Sequence, residues 1–134
     1  MRSEAGTISV FVVIVAMALV AVAALVLDGG RLLAARREAQ DIAGNAARAG
    51  AQALDEHRLR SGRTVLDPGA GAGAVARYLA DTPATGTGTV QGDLVTVRVR
   101  LPVQMLLPLT GPGQRTVRAT QQARAVQGVT VGDS

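Results

Sequence analysis

The chain has 134 residues, a formal charge of +4 and a sequence isoelectric point of about 11.2, and it lacks cysteine. That excludes a disulfide framework, a thiolate nucleophile and a Cys-based zinc site. Every basic side chain is Arg rather than Lys, and these are scattered without aromatic neighbours for base stacking, which argues against nucleic-acid binding despite the high isoelectric point.

Residues 1–7 (MRSEAGT) form a short polar N-terminal leader or cytoplasmic flank. Residues 8–27 (ISVFVVIVAMALVAVAALVL) are apolar apart from Ser9. As a helix this stretch is about 30 Å long, the hydrocarbon thickness of a bilayer, so it is the expected transmembrane helix. Ala21-Val22-Ala23 supplies a small-residue pattern of the kind signal peptidases cut, but the apolar run continues through Leu27, longer than a secretory core. Asp28 would cost about 2.5–3.5 kcal/mol at the membrane centre and is therefore expected to mark the interface, pairing with Arg31 or a partner's basic group being the alternative. Charge counting sets Arg2 and the amino terminus against Arg31, Arg36 and Arg37, and by itself favours a cytoplasmic C-terminus.

The periodicity predicts that the helix continues outside the membrane over residues 28–56, with a kink at Gly29-Gly30. Leu32, Ala35, Ala39, Ile42, Ala46, Ala49 and Ala53 recur at steps of three and four, the spacing of a heptad seam. A second row, Ala35, Ala39, Ala43, Ala47 and Ala51, holds nothing larger than a methyl group and allows close approach of another element, either the chain's own sheet or a neighbouring helix. Arg37, Glu38, Asp41, Asn45, Arg48 and Gln52 make the wet face.

Residues 57–134 are expected to form a small α+β extracytoplasmic domain. Tyr78 is its one aromatic residue, so its core must be thin, and neighbouring subunits are expected to contribute to its stability. Residues 57–66 read as a connection with a turn at Ser61-Gly62, and His57, the sole histidine, as a solvated loop residue rather than a ligand or base. Asp67-Pro68 predicts an N-cap followed by proline at the first helical position, opening a short helix through Ala80 that Asp81-Thr82-Pro83 ends. Beyond Thr85 the period changes to two. Residues 86–91 form a candidate strand and Gly92-Asp93 a turn. Leu94–Val103 alternates Val95, Val97, Val99 and Leu101 with Thr96, Arg98 and Arg100, and Pro102 and Pro108 are expected to end that strand. After a turn at Gly111-Pro112-Gly113, Thr116–Val126 puts Val117, Ala119, Gln121, Ala123 and Ala125 on one face, small enough for an alanine-faced helix to cross. Gly128–Ser134 is expected to fray.

Two resemblances arise. Val65-Leu66-Asp67-Pro68-Gly69-Ala70-Gly71-Ala72-Gly73 resembles the glycine-rich cofactor loop of S-adenosylmethionine-dependent methyltransferases, but only about sixty residues follow, too few for the parallel sheet that fold needs. Gly6-Thr7-Ile8-Ser9-Val10, Leu27-Asp28-Gly29-Gly30-Arg31 and the alanine-rich Ala39–Ala51 together resemble the N-terminal region of TadE/TadG-like proteins of the Tad (Flp) pilus-assembly system. The Val- and Ala-rich hairpin over residues 94–126 is similar in character to the C-terminal part of such proteins. The resemblance implies a pilin-like α+β fold and a structural, non-enzymatic role: a minor pilin or pseudopilin, single-pass in the cell membrane, its C-terminal domain outside. Its implied partners are lipid and other pilin-like or Tad-apparatus subunits, with no cofactor, metal or small-molecule substrate. It also makes Gly6 and Thr7 the candidate processing point, although a cut there would put Phe11 where processed prepilins carry glutamate. A generic single-pass anchored or secreted domain is the alternative.

Overall fold

The computed structural model describes residues 3–62, 67–106 and 113–125. The turn expected at Gly111-Pro112, the strand end expected at Pro108 and the C-terminal segment lie outside these residues, as do Val65 and Leu66. The elements are α1 (Ser3–Ser61), α2 (Pro68–Ala80), β1 (Thr85–Gln91), β2 (Leu94–Gln104) and β3 (Gln114–Arg124). The strands form one antiparallel sheet in the order β1-β2-β3, and α1 and α2 pack on one face of it. The fold is α+β.

Helix α1 is 59 residues and therefore about 88 Å long. It passes through Gly29 and Gly30 without interruption, so helical hydrogen bonding carries across both glycines in spite of their low propensity. It also runs past Glu56: residues 57–61, expected as part of a connection, contain no breaker, and the helix stops only where Gly62 adopts φ +60. Arg58 and Arg60 in its last turn suit the negative end of the helix dipole, and Arg60 reaches back to Glu56 at 3.5 Å.

Helix α2 begins as its cap predicts. Asp67 is extended, and its Oδ1 accepts the Gly69 amide at 2.9 Å, with Pro68 directly after it. The glycine-rich run therefore lies in a helix and not in a strand-to-helix loop. Together with the antiparallel sheet, this removes the methyltransferase reading, which requires parallel strands.

Both hairpin registers follow from the alternation. Val95, Val97, Val99, Leu101 and Val103 are buried beneath the helices, and Arg98 and Arg100 are exposed on the opposite face. Gly92, with φ +59, makes the β1–β2 turn. Pro102 does not end β2, which continues to Gln104. The amide of Met105 donates to Gly113 on the β3 side, so by alternation the position of the missing Pro102 N–H faces the β1 side. There β1 has already ended, its Thr85 pairing with Arg100. The proline thus occupies the one stretch of the central strand that behaves as an edge.

The core is built from small residues against β-branched ones. A Cβ on Gly50 of α1 would stand 2.9 Å from both Val75 of α2 and Val95 of β2. One on Gly71 would lie 3.1 Å from Leu54, and one on Gly88 of β1 2.8 Å from Val75. Three glycines, one in each element, set how closely α1, α2 and β1 approach.

Candidate functional site: the junction of span and domain

Over residues 8–27 no side chain is buried, and this stretch is long and apolar enough to cross a bilayer. Ile8, Phe11, Ile14, Leu19 and Val26 are each more than half exposed, an arrangement that water would penalise by roughly 1.5–3 kcal/mol per side chain relative to burial. Gly6 lies on the same helix, exposed and with open space around its Cα, and Thr7 follows it in helical backbone.

From residue 8 onward, the first buried residue along α1 is Asp28, at 3% exposure. Its Oδ1 accepts the backbone amide of Leu106, just beyond β2, at 2.8 Å. The carboxylate at the end of the apolar run is therefore an internal fastening: it holds the Leu106 end of the hairpin to α1. A charged acceptor for a part-buried N–H is worth about 1.5–3 kcal/mol. Leu106 itself is 48% exposed at this end of the domain. Arg31 is exposed and lines a shallow groove with Glu38, Pro83 and Pro102.

Above the junction, Ala35, Ala39, Ala43, Ala47 and Ala51 are all buried within the chain's own core, and Ala39, Ala43 and Ala47 are fully so. The small-residue ridge lies against the chain's own sheet and α2, and in this structure it offers no free face to another helix. Arg37, Glu38, Asp41, Asn45, Arg48 and Gln52 line the exposed side of α1. His57 is also exposed on α1, with Nε2 at 4.0 Å from Asp67 Oδ2. Nothing in the local sequence pairs Asp28 with Leu106, which stands 78 residues away. The one available signal was a carboxylate placed directly after an apolar helix.

No curated protein and no solved structure gives a significant match to the chain. A family model does match, and it covers the span, Asp28 and the alanine ridge but not the sheet. That model describes Flp pilus-assembly TadE/G-like (Tad) proteins, and the chain is similar to it over residues 6–53.

Proposed function

We propose that this protein is a membrane-anchored structural subunit of the minor pilin or pseudopilin kind, assisting assembly of a Tad/Flp-type pilus or a related secretion apparatus, with its α+β domain on the extracytoplasmic side. The observation that carries the proposal is the family match over the span and the outer helix. The structure adds which surfaces remain for partners. The alanine ridge is occupied internally, so contacts with other subunits fall to the bare apolar side chains of the span and to the mixed-charge side of α1 around Asp41 and Arg48. Apolar spans associate through close van der Waals packing, and opposite charges on exposed helix faces set partner choice. The protein is assigned no catalytic step.

The test places a photo-crosslinking residue at Val13 and, separately, at Asp41 in cells that make the apparatus. Adducts with other single-pass subunits are expected from both positions. The absence of adducts from either position overturns the proposal in favour of a generic anchored domain. Sidedness is read independently from Leu59→Cys, 83% exposed in a chain without other cysteines. A membrane-impermeant maleimide should label it in intact cells, and protection until lysis refutes the outward orientation. Mass spectrometry of the extracted protein reports whether the chain is cut after Gly6.

A further inference from the structure

The sheet face turned away from the helices carries one sign of charge. By register it presents Thr85, Thr87 and Thr89 of β1, Thr96, Arg98 and Arg100 of β2, and Arg118, Thr120 and Arg124 of β3, and among the described strand residues no Asp or Glu stands on it, Asp93 of the β1–β2 turn reaching only Arg124. Arg100 and Arg118 are direct cross-strand partners. Because the Met105–Gly113 bond fixes the hydrogen-bonded positions as odd-numbered on this side of β2, Arg100 and Arg118 form a non-hydrogen-bonded pair, with Cα atoms about 4.5 Å apart. Like charges so placed destabilise a sheet. Arg124 has Asp93 at 3.5 Å, but among the described residues no carboxylate stands within ion-pair distance of Arg98, Arg100 or Arg118. These three line a single depression together with Thr85, Thr87 and Thr120.

We infer that this face binds an extended phosphate-bearing polyanion outside the membrane plane, its phosphates taken by the Arg98, Arg100 and Arg118 guanidinium forks and the flanking threonine hydroxyls. Guanidinium presents paired N–H donors that match phosphate oxygens, and an anion lying between Arg100 and Arg118 converts their repulsion into attraction. Two features favour a polymer over the other anionic partners. The face has no aromatic or Met side chain to anchor a folded protein, and none on which to stack bases. It also stands clear of the lipid surface: Leu106 is held at the foot of the domain by Asp28, and Arg100 is six residues further up β2, about 20 Å along the strand and some two Debye lengths away.

The test uses the full chain in nanodiscs of zwitterionic lipid and fluorescent inorganic polyphosphate as the probe, followed by anisotropy at 50 mM salt. Wild type should bind, and the variant R98Q/R100Q/R118Q should bind at least tenfold more weakly, with the slope of log affinity against log salt reduced by about two, as expected for three lost phosphate contacts at roughly 0.7 each. R37Q/R48Q/R60Q on α1 removes the same charge and should bind within twofold of wild type. The sheet variant relieves a like-charge pair, so its unfolding temperature should match or exceed that of wild type. Polyphosphate should raise the unfolding temperature of wild type and leave the sheet variant unmoved. Absence of polyphosphate binding, equal losses in the two triple variants, or equal affinity for poly-L-glutamate each overturns the inference, the last by assigning the face to acidic polypeptide.

Discussion

Asp28→Ala removes the charged acceptor that holds the Leu106 amide. The bond is 2.8 Å long, the carboxylate is 3% exposed, and the neighbouring Met105 amide donates to Gly113. A charge-assisted hydrogen bond of this kind contributes about 1.5–3 kcal/mol. At 1.4 kcal/mol per factor of ten, this corresponds to amide exchange at Leu106 faster by about 10- to 150-fold. Asp28→Asn keeps a carbonyl acceptor and should fall between Asp28→Ala and wild type. The assay is hydrogen–deuterium exchange of the chain in nanodiscs, resolved on a peptide spanning Gln104–Leu106, with the Val97 amide in the middle of β2 as the internal reference. Val97 should be unaffected, since it lies among ladder bonds that Asp28 does not touch. Equal exchange at Leu106 in wild type and Asp28→Ala would show that the carboxylate does not fasten the hairpin, and would return Asp28 to a role at the lipid interface alone.

Glycine substitutions separate close packing from helix propensity. Gly88→Ala places a Cβ 2.8–2.9 Å from three atoms of Val75 and should destabilise the domain by about 1–3 kcal/mol, read as a fall in unfolding temperature of the detergent-solubilised chain by circular dichroism. Gly30→Ala meets nothing within 4 Å in an uninterrupted helix and should stabilise it by about 1 kcal/mol in the same assay; a fall would mean that the position needs glycine for something other than space. Ala43→Leu forces a larger side chain into a fully buried site and should lower the unfolding temperature even in a chain purified without partners, whereas an effect on assembly with an unchanged melt would place the ridge at a subunit contact. Asp67→Ala removes the α2 cap and should cost about 1 kcal/mol, with the loss in helicity confined to the first turn of α2.

The parts of this fold that could be read in advance are those governed by local chemistry. The Asp67-Pro68 start of α2, the valine alternation of β2 and the small-residue face of β3 each follow from neighbours a few residues apart. What escaped depends on distant segments. Pro102 looks like a terminator because proline cannot donate to a ladder, and only the early end of β1 makes its position harmless. Gly71 looks like part of a cofactor loop until Leu54 is placed against it. The alanine ridge reads equally well as an internal or an external contact, and its internal packing depends on a sheet more than thirty residues further along. Asp28 and Arg31 stand three residues apart at the end of the apolar run. Asp28 turns inward and Arg31 outward, a difference set by where Leu106 arrives.

The uninterrupted course of α1 has a mechanical consequence. From Asp28 to Ser61 the helix extends about 50 Å, and the sheet and α2 are packed along it rather than hung from its end. Where α1 runs straight, the domain and the span share one axis. A span tilted by about 20° from the bilayer normal, the average for membrane helices, would carry Ser61 sideways by roughly 17 Å. Local bilayer thickness, or a neighbour that leans on the span, is thereby converted into lateral displacement of the α+β domain.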